Sequence, residues 1–340
     1  MHNKAAIKGI ASYIPEMRLT NEQLARDFPD WSVDKIYEKT GIQSRPIASD
    51  TDTCSSMAVN AAKKLFEKHN ISPDSIDFIL LCTQSPDYKL PTTACIVQHE
   101  LGIPTHVGAL DFNLGCSGYV YGLSLAKGLI ETGQCNRVLL ITSELYSRYI
   151  NKQDKSVRTL FGDAATATLI EGVKSEEEFL TSFVFGSDGS GDKNLIVPHG
   201  GSFNPISPDS FVASDDISGN YRSPSNLYMN GAEILAFTLQ SVPALVNSVL
   251  DSAGLDAADI DKVVFHQANK FILDKLRKKT KFTEAQFLVS YECYGNTVSS
   301  TIPLGLELAL KDGKLQSGDN VLICGFGVGY SWAGCLIEWS

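Results

Sequence analysis

No apolar run in this sequence reaches the roughly 20 residues that a helix needs to cross a bilayer, so no membrane span is expected. The opening residues, Met1-His-Asn-Lys-Ala-Ala-Ile-Lys8, carry no apolar stretch of the signal-peptide kind, and a cytoplasmic protein is expected. Basic residues are in deficit: 29 Lys and Arg stand against 39 Asp and Glu, for a net charge of -10. That balance speaks against general nucleic-acid binding, which needs cations to displace counterions from phosphates. No Cys-x-x-Cys pair occurs among the eight cysteines, so no metal site is expected. In a reducing compartment disulfides are not expected either. The glycine fingerprint of dinucleotide binding is also missing. Gly325-Phe-Gly-Val-Gly329 spaces three glycines by two, without the further Gly arm and following helix.

The remaining composition is that of an ordinary globular protein, with 43% hydrophobic and 20% charged residues. Short apolar runs alternate with helical stretches, which predicts α/β architecture with buried sheets. Strands are expected at 77–83, 107–113, 137–143 and 162–170, and helices at 93–101 and 115–132. The second half follows the same order: a helix at 229–253, a strand at 261–266, helices at 269–279 and 301–311, and strands at 320–325 and 331–339. A polar stretch rich in Gly, Ser, Pro and Asp, at 187–225, reads as a long excursion. The repetition predicts a duplicated α/β unit, with halves at 1–172 and 173–340.

Cys116 carries the strongest chemical signal. It lies in Asp111-Phe-Asn-Leu-Gly-Cys-Ser-Gly-Tyr119, where an apolar strand meets a small-residue helix. A helix N-terminus favours a thiolate through its unpaired N–H groups and dipole. A nucleophilic cysteine usually works with a nitrogen base. Of the six histidines, His266 ends an apolar strand in Val263-Val-Phe-His266, the kind of position where α/β sites collect. Asn296, in Tyr294-Gly-Asn-Thr297, offers an amide that can donate to a developing oxyanion. The glycines around Val328 suit a close backbone approach with N–H groups turned to a ligand.

Taken together, these motifs resemble the β-ketoacyl-[acyl-carrier-protein] synthase III family of thiolase-like condensing enzymes. The resemblance rests on Gly115-Cys-Ser-Gly-Tyr119, His266-Gln-Ala-Asn269, Gly295-Asn-Thr297 and Gly325-Phe-Gly-Val-Gly-Tyr-Ser-Trp332. Lys39-Thr-Gly-Ile42 and Phe161-Gly-Asp-Ala-Ala165 add to it. Cys, His and Asn follow in that order, 150 and 30 residues apart. The resemblance covers nearly the whole chain.

It implies a thiolase-like fold in an αβαβα layering, and a catalytic triad of Cys116, His266 and Asn296. Cys116 would take an acyl group from acyl-CoA. A malonyl group on an acyl carrier protein would then lose carbon dioxide and attack the acyl-enzyme, giving a 3-oxoacyl thioester. CoA and phosphopantetheine thioesters would be substrates, with no tightly bound cofactor. An oxyanion hole would come from the backbone of Cys116 and of Gly327, Val328 or Gly329; Val328 stands where the family often has glycine. Lys35, Lys39 and Lys155 stand where the family often places the tryptophan and arginines that grip CoA, and Asn269 joins them at the pantetheine arm. Lysine binds phosphate as a point charge and does not stack on adenine as arginine does. Trp31 is close by but out of register, which reads as a packing tryptophan. Phe271 replaces another usual arginine. The cations Lys270, Lys275, Arg277, Lys278 and Lys279, unusual on so acidic a chain, form the expected carrier-docking patch. Leu90 matches a position that closes the acyl pocket across a homodimer, and a leucine there predicts primers longer than acetyl.

The main alternative is a non-decarboxylating acyltransferase on the same fold, with Cys116 acylating an alcohol or amine. Asn296 speaks against it, because simple transfer has less use for an enolate-stabilising donor. The intact triad argues against a non-catalytic partner subunit, and a cysteine hydrolase gains nothing from the basic patch. A hydroxymethylglutaryl-type aldol enzyme would want a carboxylate near the thiol, and Glu144 is the one candidate.

Overall fold

The computed structural model describes residues 2–340. The first half runs β1 (His2–Tyr13), α1 (Cys54–His69), β2 (Phe78–Cys82), α2 (Thr93–Glu100), β3 (Gly108–Phe112), α3 (Gly118–Glu131), β4 (Arg137–Glu144) and β5 (Ala164–Ser175). The second runs β6 (Leu180–Ser187), α4 (Gly231–Ala253), β7 (Lys262–Phe265), α5 (Lys270–Thr280), α6 (Thr301–Lys311), β8 (Asn320–Gly327) and β9 (Ser331–Glu338). The 187–225 excursion holds only two-residue strands and single turns.

One sheet has five strands in the order β1-β5-β4-β2-β3; the other has four in the order β6-β9-β8-β7. Matching strands hold matching places. Each sheet pairs its first two contacts antiparallel and its inner pair parallel. A parallel bridge from Val263 to Phe287 stands where β3 lies in the first sheet. β5 runs past the expected division at 172/173, so the chain crosses between sheets at 176–179. The elements β1 and β6 had no sequence expectation.

Five layers result. Met57 and Leu65 of α1 and Val97 of α2 cover one face of the first sheet. Tyr119 and Leu123 of α3 and Leu306 of α6 fill the space between the sheets, against Ile10, Leu140 and Ile323. Val249 of α4 and Leu273 of α5 cover the far face of the second sheet. The small residues of α3 have a packing cause. A Cβ on Gly118 would come 2.2 Å from Cys82 Sγ, and one on Gly122 would come 2.5 Å from Leu140 Cδ1. Overpacking of this kind costs about 1–3 kcal/mol. The glycines let α3 press on the first sheet, which fixes the turn that carries Cys116.

By length and composition α4 is apolar enough to cross a membrane, with a mean hydropathy of 1.4 over its best window. The expectation that no segment of this kind exists is corrected to that extent. Here the apolar residues of α4, among them Val242, Leu245 and Val249, pack on the second sheet.

Candidate active site

Cys116 sits in the turn between β3 and α3. The helix starts at Gly118 with Ser117 as its cap, so the thiol lies two residues ahead of the first turn. The side chain is buried, at 4% exposure. The expected thiolate does not follow. Burial is the largest influence and pushes the thiol up to about 12, with the buried Glu144 adding to the rise. Hydrogen bonds from the backbone of Val328 and of Cys116 itself pull the other way. In its resting state the sulfur holds its proton.

The same two backbone groups are the pair expected for the oxyanion hole. Of the three candidates in the C-terminal loop, Val328 supplies the amide. Gly327 gives the close approach, since a Cβ there would meet Cys116 Sγ at 2.7 Å. Gly329 is exposed, and neither it nor Val328 is part of the cavity lining at Cys116.

His266 follows β7, and its backbone N–H bonds Cys324 O of β8 at 2.8 Å. The ring is buried, and burial lowers its pKa to about 3, so the imidazole is neutral. Its Nδ1 lies 2.8 Å from the Thr301 hydroxyl at the start of α6. That hydroxyl also reaches the Val298 carbonyl, at 3.0 Å.

Asn296 is held by backbone pairing with the segment after Leu160. Its N–H bonds Leu160 O at 2.9 Å, and its carbonyl accepts Gly162 N–H at 3.0 Å. The side-chain Oδ1 accepts the Val298 N–H at 2.9 Å. With the oxygen occupied, the amide N–H groups are left as donors. Val298 has φ of +55°, a left-handed conformation that costs a β-branched residue about 1–2 kcal/mol. Strain of this kind persists where the surroundings over-determine it. Here Val298 serves Asn296 through its N–H and Thr301 through its carbonyl.

Cys116, His266 and Asn296 line one cavity of about 200 Å³, together with Phe161, Thr238 and Asn269. Asn269 also caps α5, with its side chain accepting Ile272 N–H at 2.9 Å. The Thr238 hydroxyl is buried without a hydrogen-bond partner. Behind the loop lies Glu144, which accepts the Ser299 hydroxyl at 2.6 Å and the Gln84 N–H at 3.1 Å. Burial raises it to about 8, so it stays protonated at neutral pH.

The outer residues fall in separate places. Lys35 and Lys39 are exposed, and each ammonium lies 5.5 Å from the centre of the Trp31 ring. Trp31 is a half-buried ring flanked by these two cations. Lys155 opens a short helix, Lys155–Arg158, beside the 216–222 segment. On α5, Lys270 pairs with Asp274 and Arg277 with Glu284, while the Lys279 ammonium bonds Leu239 O. Lys275 lies 4.7 Å from the exposed Phe271 ring, and Lys278 has no carboxylate partner among the described residues. Leu90 is 83% exposed and is not part of the lining of either chamber near Cys116.

A duplicated αβαβα core that turns a cysteine, a histidine and an asparagine onto one cavity marks a thiolase-like acyl-transferring enzyme. Family models described as 3-oxoacyl-[acyl-carrier-protein] synthase III and its C-terminal part match residues 110–189 and 250–339. The β-ketoacyl-[acyl-carrier-protein] synthase III of Caldanaerobacter subterraneus subsp. tengcongensis is 37% identical over 336 residues, 99% of this chain and 98% of that one. A crystal structure of a 3-oxoacyl-(acyl-carrier-protein) synthase III aligns with a TM-score of 0.97 at 54% identity, over 99% of this chain and 100% of the other. The priming β-ketosynthase of the R1128 polyketide pathway aligns at 0.87 with 29% identity, over 99% and 97%. The chain belongs to the β-ketoacyl-[acyl-carrier-protein] synthase III family.

Proposed function

We propose that this enzyme condenses an acyl primer, loaded on Cys116, with the two-carbon unit released from malonyl-acyl-carrier protein. The observation that carries the reading is Asn296. Its Oδ1 is taken by Val298 N–H, which leaves amide donors in the cavity it shares with Cys116 and His266.

In the loading step Cys116 Sγ attacks the thioester carbonyl of acyl-CoA. Neutral His266 takes the thiol proton. The Val328 and Cys116 N–H groups receive the oxyanion. When the intermediate collapses, the C–S bond to CoA breaks and CoA leaves with the proton. In the second step the malonyl carboxylate leaves as carbon dioxide, and the electron pair of the broken C–C bond passes into the thioester as an enolate. Asn296 and His266 donate to that oxygen. A single such donor contributes roughly 3–4 kcal/mol to the transition state. The enolate carbon then attacks the acyl carbonyl, a C–C bond forms, the C–S bond to Cys116 breaks, and the thiolate that leaves takes a proton from solvent.

Trp31 with Lys35, Lys39 and Lys155 suits the adenine and phosphates of CoA. Asn269 and the unpartnered Thr238 hydroxyl suit the amide-bearing pantetheine arm. The exposed cations of α5 suit an acidic carrier protein. A homodimer is supported by β3, which stands unpaired at the edge of its sheet with Leu110 exposed, and by the bare Leu90. Leu90 would then close the partner's acyl chamber. The two halves, joined by the crossing at 176–179, divide the work: the first carries the nucleophile, the second the enolate donors.

Mass measurement of intact protein with a panel of acyl-CoAs tests the reading. A mass gain at Cys116, discharged by malonyl-carrier protein into a 3-oxoacyl product, is expected. Loading followed by transfer to an alcohol or amine, with no carbon dioxide released, would refute it.

A further inference from the structure

A second chamber of about 530 Å³ shares Leu195 with the cavity at Cys116 and is walled by Val328. We take it as the chamber that receives the acyl chain, because its wall reaches the turn of Cys116 at Gly115. Its inner wall is polar. Gln84 Nε2 donates to Asn113 Oδ1 at 3.0 Å, the Tyr146 hydroxyl donates to Gln84 Oε1, and the Tyr149 hydroxyl donates to the Gln84 carbonyl at 2.9 Å. The Gln84 backbone is pinned in turn by Glu144. Gln84 and Val328 both crowd Gly115, the residue before the nucleophile, where a Cβ would come within 2.6 Å of each.

These bonds leave specific valences open. With Asn113 Oδ1 occupied, the two amide hydrogens of Asn113 remain. His199 uses Nδ1 on Ser210 at 2.9 Å, and its other ring nitrogen remains. Asp87 accepts Ser55 N–H through Oδ1 at 3.1 Å, and Oδ2 remains an acceptor. Lys89 has no carboxylate partner among the described residues. The chamber thus offers donors and acceptors of both charges. An alkyl primer would cover these groups and satisfy none, at the cost of their hydration. A carboxylate-bearing primer would gain Lys89 but face Asp87, and an amine-bearing one would gain Asp87 but face Lys89. A neutral hydroxyl both donates and accepts, and fits all of them.

We propose that the primer is a hydroxyacyl group whose hydroxyl is read by the Gln84–Asn113–Tyr146 wall. The inference rests on the condensing function given above and names its substrate class. A site built to bond a hydroxyl rejects the analogue that lacks it far more strongly than an apolar pocket rejects an added one.

The test compares matched pairs on the wild-type enzyme: 3-hydroxybutyryl-CoA with butyryl-CoA, and 4-hydroxybutyryl-CoA with the same reference. Loading on Cys116 and condensation with malonyl-carrier protein are both followed. At least one hydroxyacyl donor is expected to exceed butyryl by about tenfold or more in kcat/KM, a difference of about 1.4 kcal/mol. In Gln84→Leu and in Asn113→Leu that ratio should fall toward one; Asn113 is exposed, so its replacement does not endanger folding. Butyryl used as well as either hydroxyacyl donor would overturn the inference and leave the condensing function standing. An enzyme that condenses none of the three would overturn both.

Discussion

His266 Nδ1 and the Thr301 hydroxyl lie 2.8 Å apart, and the same hydroxyl lies 3.0 Å from the Val298 carbonyl. Thr301 has one proton for two acceptors, and its direction sets the imidazole tautomer. Turned to Val298, the hydroxyl accepts Nδ1–H and leaves Nε2 as a base, as loading needs. Turned to Nδ1, it leaves Nε2–H as a donor, as the enolate needs. Thr301 is thus a positioning residue that serves both steps. Thr301→Val should lower kcat for loading and for condensation by about tenfold, the scale of one buried hydrogen bond. Thr301→Ser should restore both. Full activity in the valine variant, at unchanged KM, would remove Thr301 from the mechanism.

Two buried groups give stability an opposed pH dependence. Glu144 is raised from 4.5 to about 8, so the folded state holds a proton that the unfolded chain releases. Stability from this group falls as pH rises from about 4.5 to 8. His266 is lowered from 6.5 to about 3, so here the unfolded chain binds the extra proton. Its contribution rises with pH from about 3 to 6.5. The two oppose each other below pH 6.5, and Glu144 stands without that counterweight from 6.5 to 8. The melting temperature should decline across that upper window, and Glu144→Gln should flatten the decline. An equal slope in the variant would show that Glu144 ionises normally.

Cys116 should react unlike an activated cysteine. An ordinary thiol approaches its alkylation plateau above pH ~8.5. With burial holding the sulfur proton to about 12, iodoacetamide modification of Cys116 should keep rising, about tenfold per pH unit, from pH 7 to 10. Peptide mass spectrometry separates Cys116 from the exposed Cys95 and Cys293. A plateau near pH 7 at Cys116 would mean a resting thiolate.

The site was legible in the sequence where its chemistry is local. Cys116, His266 and Asn296 each stand in a short motif at the end of a strand or turn, and strand periodicity located most of the elements around them. The misses are long-range. The thiolate was inferred from a helix terminus, but whole-fold burial outweighs the dipole. The amide that faces the sulfur belongs to Val328, more than 200 residues away, and nothing local separates it from Gly329. Thr301 reads as the first residue of a helix until Val298 and His266 are seen to meet on it. Trp31 is out of register with the family position, and only the folded helix Val33–Thr40 brings Lys35 and Lys39 onto its ring.

The proposed docking patch is smaller than its count of cations suggests. Lys270, Arg277 and Lys279 have partners within the protein, which leaves Lys275 and Lys278 as the charges open to a carrier. Lys275→Glu with Lys278→Glu should raise KM for malonyl-carrier protein by about tenfold at low salt, and less at high salt. Acyl loading from CoA should not change. Carrier kinetics that ignore both reversals would place docking elsewhere.

The proposed stacking of the CoA adenine on Trp31 would sort the two substrates from the other side. Stacking of a base on an aromatic ring is worth about 1–3 kcal/mol, and Lys35 and Lys39 flank this ring with the charge a phosphate would meet. Acyl-CoA carries an adenine and a carrier-bound acyl group does not. Trp31→Ala should therefore raise KM for acyl-CoA by about tenfold. The variant should load from acyl-pantetheine, which has no adenine, at the wild-type rate, and should use malonyl-carrier protein with an unchanged KM once loaded. The partly exposed ring makes little contribution to the core, so the melting temperature should move by only a few degrees. An unchanged KM for acyl-CoA would return Trp31 to a packing role and point to a carrier protein as the acyl donor.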